Sequence, residues 1–226
     1  MPGLLKIFND RICIIYLILI LVVFSVGFIP AHGVLAEVQI NEVPTKKLLA
    51  PDGLSELSVG VPDAEVTIVE YMSMSCAACA KFHKTTYSEL KKKYIDTGKV
   101  RFVMREFPLD NLAAAGAMLA RCLNDNNKSV ALISVLYSRQ REWVSSQALE
   151  VLLEIAKQAG FSKVSFEACL KDGELLKKLR RRRDKADKEF GVNATPSFFI
   201  NGKRLRSHTL SVEEFEKVIG PLLNKS

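Results

Sequence analysis

The sequence predicts an α/β domain that is interrupted by a helical insertion. Three observations lead to this fold class: a strand–helix–strand unit in the first half of the chain, a block of amphipathic helices after it, and a strand–strand–helix unit near the C-terminus. A strand–helix–strand unit of this length places its two strands parallel. We therefore expect one domain, with the insertion at about residues 110–175.

The first unit is defined by two apolar runs on either side of a helical pattern. Residues 65–71, EVTIVEY, are β-branched and largely apolar, which predicts a strand. Apolar residues then recur at helical spacing over residues 77–95, and Gly98 marks the end of that helix. Alternation over residues 100–104 predicts the second strand.

The rest of the chain continues with helical periodicity before strand character returns. The predicted helices cover residues 112–123, 129–141, 146–159, 165–170 and 174–190. Residues 196–200 then predict a strand, and Asn201-Gly202 predicts a hairpin turn because both of its positions need positive φ. Residues 203–206 form the second strand of this hairpin, and residues 211–223 form a closing amphipathic helix.

Composition fits one globular domain of 226 residues with 48% hydrophobic and 25% charged residues, and excludes a disordered chain. The net charge is +7. The basic residues are scattered along predicted helical faces, and even the run from Arg180 to Arg183 would be spread around a helix as a solvated face. We therefore expect no nucleic-acid partner.

The N-terminal segment resembles an export signal. Lys6 and Arg11 precede an apolar run over residues 12–29, and the small residues of a peptidase site follow at residues 34–36. We predict a signal peptide at residues 1–36. The run of 18 residues is also nearly long enough to span a bilayer, so an uncleaved anchor is the alternative. In both cases the remainder of the chain is exported.

Residues 37–62 are predicted to be a lead-in to the domain. They are polar, contain three prolines and show no sustained periodicity, so we expect a short helix at most. The domain itself is expected at residues 63–225.

The cysteines point to redox chemistry. One of the five, Cys13, lies in the export segment, and the other four fit two disulfides in an exported protein. Cys76-Ala77-Ala78-Cys79 directly follows a predicted strand and opens a helix, whose free N–H groups and dipole favour a thiolate. We predict a redox pair in which Cys76 is the exposed attacking sulfur and Cys79 the buried resolving sulfur.

Two other interpretations of this motif are a structural disulfide and half of a zinc site. Zinc needs four ligands, and although His83 follows Cys79 by four residues, no second pair of ligands follows at suitable spacing. The strand–CxxC–helix context favours the redox pair, so we expect no metal and no cofactor other than the Cys76–Cys79 disulfide. His83 is expected on the face of the helix.

A second signal is Thr195-Pro196, which directly precedes the predicted strand at residues 197–200. Proline at the start of a strand marks an edge or a cis peptide bond. Its place between the two predicted units matches the position where thioredoxin-like proteins carry a cis-proline that faces the redox pair.

Three segments in this order, VEYMSMSCAACAKFH, FPLDNLAAAGAMLARC and FGVNATPSFFINGK, resemble the DsbA-type thiol-disulfide interchange proteins, especially their alphaproteobacterial branch. The resemblance covers about residues 61–223. It implies a thioredoxin fold with a helical insertion, a periplasmic location and a mixed-disulfide mechanism. It also implies that Cys76 is the nucleophile, Cys79 the resolving cysteine and Pro196 the cis-proline beside Thr195.

The same resemblance assigns Glu70 to the buried carboxylate that moves protons near the resolving thiol. The alternative is an ordinary, partly exposed strand glutamate, because glutamate is rarely buried without a partner.

This sequence departs from the family pattern at two positions. Ala77-Ala78 replaces the Pro-His of the best-known oxidases and offers no side-chain donor, which predicts a higher thiol pKa and a less oxidising disulfide. Thr195 stands where strong oxidases tend to have valine. A hydroxyl at this position resembles what isomerase-type and reductase-type members carry.

Cys122 and Cys169 lie on different predicted helices of the insertion. We hypothesise that they form a second, structural disulfide. The alternative is a pair of buried free thiols, since free cysteine is often found in protein cores.

The leading functional expectation is a monomeric periplasmic enzyme that donates its disulfide to unfolded exported polypeptides with free thiols. A DsbB-like membrane partner would reoxidise it. The alternatives are a periplasmic disulfide isomerase or reductase, and a chaperone that binds peptides in the groove beside Pro196.

Overall fold

The computed structural model describes residues 42–205 and 211–224. The predicted signal peptide or anchor and Cys13 lie outside these ranges, as does Arg206 at the end of the predicted hairpin. No helix within the described ranges combines the length and apolar character that crossing a membrane requires.

The centre of the fold is a five-stranded mixed sheet with the order β1-β3-β2-β4-β5. Its strands are β1 (Leu57–Val59), β2 (Val66–Met72), β3 (Val100–Glu106), β4 (Ser197–Ile200) and β5 (Lys203–Leu205). Strands β2 and β3 are parallel, as predicted, and the other described pairs are antiparallel. Strand β2 is therefore in the middle, and Glu70 on it lies opposite Met104 on β3 and Phe198 on β4.

Helices cover both faces of this sheet. They are α1 (Thr45–Leu48), α2 (Ala77–Lys84), α3 (Thr86–Leu90), α4 (Asn111–Cys122), α5 (Asn126–Ser138), α6 (Gln140–Trp143), α7 (Ala148–Gln158), α8 (Lys163–Leu170), α9 (Gly173–Phe190) and α10 (Val212–Leu223). A π-helical turn, Lys91–Ile95, continues α3. Helices α4 to α8 form the predicted insertion, so the prediction of an α/β domain with a helical insertion is confirmed.

The single helix predicted over residues 77–95 is wrong in one respect, because the chain breaks at Thr85. Thr85 leaves helical geometry, with φ −113° and ψ −82°. Its hydroxyl donates to the carbonyl oxygen of Lys81 over 2.9 Å, a local bond by which threonine competes with the backbone ladder. The helix therefore divides into α2, which carries the cysteine motif, and α3.

The described part of the predicted lead-in, residues 42–62, contains the short helix α1 that was allowed for and also the strand β1, which was not predicted. Leu57 is buried, and β1 pairs with β3 at the edge of the sheet. The N–H of Val43 donates to the carbonyl oxygen of Gly202 over 2.8 Å, so this segment also packs on the hairpin turn. A three-residue strand is too short to show a period-two pattern, which explains why the sequence did not reveal it.

The interior is divided by the sheet into two apolar clusters. The larger one lies against α2, α10 and the insertion, and includes the fully buried Trp143, Phe82 and Phe198. The smaller one lies on the opposite face, where Tyr71 and Phe199 from the sheet meet Phe190 from α9. Both faces of β2 are thus buried, which fixes the central strand on which the site is built.

The expectation that Arg180 to Arg183 form a solvated face is wrong for Arg182, which is only 3% exposed. Its guanidinium donates to Asp52 over 2.6 and 2.7 Å and to Glu106 over 2.5 Å. Glu106 also accepts from Arg121. Burial by itself would raise the pKa of the Glu106 carboxyl, but the two guanidinium groups outweigh it and the pKa is about 2.

The insertion is closed by a covalent link. Cys122 at the end of α4 and Cys169 in α8 form a disulfide, with their Cα atoms 6.1 Å apart. This bond joins two helices of the insertion that are separated by 47 residues in sequence.

We expect Arg182→Ala to lower the free energy of unfolding by about 3–5 kcal/mol, because it leaves the buried carboxylate of Glu106 and the half-buried carboxylate of Asp52 with fewer partners. Chemical denaturation followed by circular dichroism measures this. The matched control is Arg181→Ala, one residue earlier on the exposed side of α9, which should stay within about 0.5 kcal/mol of wild type. Equal effects of the two substitutions would contradict the role assigned to Arg182.

Candidate functional site

The cysteine motif lies at the junction of β2 and α2. The strand ends at Met72, and Cys76 is the N-cap residue of α2, with extended φ and ψ of −74° and 117°. Ala77 and Ala78 occupy the first turn, where their high helix propensity favours the start of the helix. Cys76 is half-buried, whereas Cys79, one turn into the helix, is fully buried. Both are free thiols in this structure.

The insertion holds the loop that precedes Cys76. The side chain of Gln140 donates to the carbonyl oxygens of Met74 and Cys76 over 2.8 and 2.9 Å. The hydroxyl of Tyr137 donates to the carbonyl oxygen of Ser73 over 3.2 Å. Neither residue was predicted from the sequence, because nothing in its local pattern indicates a partner more than 60 positions away.

Helix α4 also packs closely on this loop. A Cβ atom at Gly116 would lie 3.1 Å from the Cβ atom of Met74, so a larger residue there would have to displace the loop. Ser75 donates to Asp110 over 2.7 Å, and Asp110 in turn caps α4 by accepting from the N–H of Ala113. Hydrogen bonds and close packing therefore join the loop to the start of the insertion.

Thr195-Pro196 lies beside Cys76, and its peptide bond is cis. Strand β4 runs antiparallel to β2, and Ser197 pairs with Tyr71, so the residues before β4 meet those that follow β2. The thiol of Cys76 donates to the carbonyl oxygen of Thr195 over 3.2 Å. In this dithiol form the Thr195 hydroxyl is buried and has no hydrogen-bond partner among the described residues.

Several donors converge on the sulfur of Cys76. In the thiolate form, hydrogen bonds from the thiol of Cys79, the hydroxyl of Thr195 and the N–H groups of Cys79 and Ala78 stabilise the charged sulfur and lower the pKa of Cys76 to about 6, while partial burial opposes them. The Cys79 N–H lies 3.3 Å from the sulfur. The expectation that Ala77-Ala78 offers no side-chain donor is correct, but Cys79 and Thr195 supply donors from outside the dipeptide.

Cys79 has the opposite character. Burial raises the pKa of its thiol well above the ordinary value, and the Cys76 sulfur and the negative charge of Glu70 raise it further. The two sulfurs are therefore distinct: Cys76 is exposed enough to react and is readily ionised, whereas Cys79 is kept protonated inside the protein. This is the asymmetry that thiol exchange through an attacking and a resolving sulfur requires.

Glu70 and His83 form a buried pair behind Cys79. Glu70 is 0% exposed, and its Oε2 lies 2.8 Å from Nε2 of His83. Of the two interpretations of Glu70, the partly exposed strand glutamate is wrong. His83 lies on a face of α2, as expected, but that face is buried, because the rings of Tyr87 on α3 and Tyr137 on α5 lie against it. The sequence feature that could have indicated the place of His83 is its spacing from Cys79, which puts both side chains on one face of α2.

The described part of the chain contains no group of three or more His, Cys, Asp or Glu side chains placed to hold a metal ion. The site consists of the two sulfurs, the Thr195-Pro196 segment and the buried carboxylate–imidazole pair.

Comparison with known proteins gives consistent matches over the described domain. The model of the protein family described as Thioredoxin matches residues 54–220. The “Putative protein-disulfide oxidoreductase” of Rickettsia bellii is 32% identical over 174 residues, which are 76% of this chain and 67% of that protein. The “Probable disulfide bond formation protein D” of Bacillus anthracis is 30% identical over 193 residues, which are 80% of this chain and 86% of that protein.

Among solved structures, the crystal structure of Wolbachia pipientis alpha-DsbA1 superposes with a TM-score of 0.73 and 27% sequence identity. The match covers 80% of this chain and 96% of that one. The alignments with five Rickettsia relatives span 56–67% of the length of those proteins.

We expect Thr195→Val to make the Cys76 thiol roughly tenfold less acidic, because it removes a hydroxyl that stabilises the thiolate. The ultraviolet absorbance of the thiolate against pH measures the change from the wild-type midpoint of about 6. Thr195→Ser, which keeps the hydroxyl, is the matched control and should titrate close to wild type. A valine variant that titrates like the serine variant would disprove this role for the hydroxyl.

Proposed function

Because this chain belongs to the DsbA family of thiol-disulfide oxidoreductases, we propose that it donates disulfide bonds to exported polypeptides through Cys76 and Cys79. The observation that carries this proposal is the asymmetry of the two sulfurs. Cys76 is half-buried with a pKa of about 6, and Cys79 is fully buried with a raised pKa. Only one sulfur of such a pair is accessible to a substrate thiolate.

The exchange proceeds in two balanced steps from the oxidised form. A substrate thiolate attacks Sγ of Cys76, the Cys76–Cys79 bond breaks, and the electron pair leaves on Cys79, which takes up a proton. A second substrate thiolate then attacks the substrate sulfur of the mixed disulfide and releases Cys76 as a thiolate. The substrate is oxidised by two electrons and the enzyme is left as the dithiol.

The proposed direction rests on the second step. A thiol of low pKa is a good leaving group, so Cys76 is readily displaced from a mixed disulfide. Its pKa of about 6 lies between the values of about 7 for thioredoxin and about 3.5 for DsbA. This supports a disulfide donor that is less oxidising than those with Pro-His between the cysteines.

We further propose the setting in which this exchange takes place. The substrates are unfolded exported polypeptides with free thiols, and a DsbB-like membrane protein reoxidises the dithiol. The location is the periplasm, reached by means of the signal peptide predicted at residues 1–36, and the protein acts as a monomer. The Cys76–Cys79 disulfide is the sole redox group that the mechanism needs.

A disulfide isomerase or reductase is the second candidate. The observation that favours it is the Thr195 hydroxyl beside Cys76, which stands where strong oxidases tend to have valine. Such an enzyme works in the dithiol form, so the two candidates differ in the reduction potential of the pair.

We expect the reduction potential of the Cys76–Cys79 pair to lie clearly above about −270 mV, the thioredoxin value, and below about −120 mV, the DsbA value. Equilibration in glutathione buffers, followed by alkylation and mass measurement, gives this potential. A value at the thioredoxin end would favour the reductase or isomerase and contradict the proposed direction of transfer.

We expect Cys76→Ala to abolish oxidation of a reduced, unfolded substrate protein, because the accessible sulfur is lost. The matched variant Cys79→Ala keeps the attacking thiol, so with an oxidised substrate it should accumulate mixed disulfides that cannot be resolved from within the protein. Non-reducing electrophoresis distinguishes the two. Full oxidase activity of Cys76→Ala would refute the assignment of the nucleophile.

A further inference from the structure

We propose that His83 is a positioning residue of the exchange reaction, which holds Glu70 in a buried pair that returns a proton to Cys79 when this sulfur leaves and removes it when Cys79 attacks. The inference rests on the proposed thiol exchange and extends it to the buried side of the site. The resemblance assigned a role to Glu70 alone, and His83 was expected to have none.

The pair is built as a site and is not a surface contact. The side chain of Glu70 is 0% exposed and that of His83 is 3% exposed, and they meet through the 2.8 Å contact between Oε2 and Nε2. The second oxygen of Glu70 and Nδ1 of His83 have no hydrogen-bond partner among the described residues. A buried ionic pair is weak evidence for stability, because taking both groups out of water costs about as much free energy as their attraction returns.

Its position relative to the sulfur follows from the helix. Cys79 and His83 are four residues apart on α2, which puts both side chains on one face of the helix and His83 one turn beyond Cys79. Glu70 reaches His83 from the central strand β2. The charge of Glu70 contributes to the raised pKa of the Cys79 thiol, so the protonation of the carboxylate and that of the buried thiol are linked.

The titratable groups that face the pair from other elements are two tyrosines. The ring of Tyr137 on α5 stacks on the His83 ring with centroids 4.4 Å apart, and the ring of Tyr87 on α3 lies 4.8 Å away. Burial raises the pKa of both hydroxyls, and the charge of Glu70 contributes to both shifts. Both phenols therefore stay protonated. The residues beside Glu70 on the two neighbouring strands, Met104 and Phe198, carry no charge.

The Glu70–His83 pair exchanges a proton with Cys79 in both directions of the reaction. When a substrate thiolate breaks the disulfide at Cys76, Cys79 leaves as a thiolate in a site that disfavours its charge, and the protonated pair gives it a proton. In reoxidation, Cys76 first forms a mixed disulfide with the oxidant. The pair then takes the proton of Cys79, whose sulfur attacks Cys76, and the thiolate of the oxidant leaves.

The experiment measures the step in which Cys79 attacks the mixed disulfide on Cys76. The reduced protein is mixed with oxidised glutathione, quenched with acid at intervals, and analysed by mass for the glutathione adduct of Cys76. In His83→Gln, whose amide can still donate to Glu70 but cannot exchange a proton, we expect the adduct to decay about tenfold more slowly near neutral pH. The difference should shrink as pH rises, because Cys79 then ionises without help.

Formation of the adduct, which depends on the Cys76 thiolate, should remain unchanged and is an internal control. Lys84→Gln is the matched variant, one residue later on the exposed side of α2, and should decay like wild type. Glu70→Gln combined with His83→Gln should be no slower than the slower single variant, because residues that act as a unit are not additive. A purely structural role would lower the melting temperature but leave the pH profile of decay unchanged, and this result would overturn the inference.

Should His83→Gln fail to fold, the wild-type protein provides the test. The ring signals of His83, followed by NMR over a range of pH, should differ between the oxidised and reduced forms, since a proton moves between the pair and Cys79. Superimposable ring signals in the two forms over that range would overturn the inference. A wild-type protein that forms no adduct at all would overturn the proposed function as well, so the two failures are distinguishable.

Discussion

The site depends on one constraint, namely that α2 begins directly after the central strand of the sheet. Strand β2 is buried on both faces and paired on both edges, so its end is fixed in space. That fixed end directs the first turn of α2 and its N–H groups towards the sulfur of Cys76. The antiparallel partner β4 brings Thr195-Pro196 to the same end. The reactive sulfur, its donors and its neighbouring cis-proline are thus consequences of sheet pairing.

The insertion has a structural part in this arrangement. Gln140 and Tyr137 bind carbonyl oxygens of the loop before Cys76, and Asp110 ties the same loop to the start of α4. The bonds from Gln140 and Tyr137 use backbone acceptors that a loop leaves unpaired. The insertion therefore does more than cover the sheet, because it holds the residues from which the redox helix starts.

Two ionic groups inside the same domain have different parts, since one stabilises the fold and the other belongs to the proposed chemistry. Arg182 lies among Asp52 and Glu106 with its donors used, and this cluster joins the N-terminal segment to β3 and α9. The pair of Glu70 and His83 makes a single described bond and leaves one polar atom unpaired on each side. In the cluster the guanidinium groups hold the pKa of Glu106 at about 2, so this carboxylate stays ionised, whereas the pair of Glu70 and His83 lies behind the thiol of Cys79, which gains and loses a proton in the proposed exchange.

The amino-acid sequence alone determined the features that local patterns encode. The strand before Cys76, the helix after it, the hairpin at Asn201-Gly202 and the helical insertion follow from periodicity and turn chemistry within short windows. The position of Pro196 before a strand was equally readable. Each of these depends on residues that are neighbours in sequence, and each agrees with the tertiary structure apart from the break of the helix at Thr85.

The tertiary structure alone decided which polar groups are buried together. Arg182 and Asp52 are 130 positions apart, Gln140 and Cys76 are 64 apart, and neither pairing leaves a mark in a local window. Edge strand β1 is defined only by its pairing with β3. The spacing of Cys79 and His83 was visible in the sequence, but it gained meaning only when the sheet placed Glu70 against that face. The physical reason is that burial and partner choice are set by packing between distant elements, whereas secondary structure is largely set by adjacent residues.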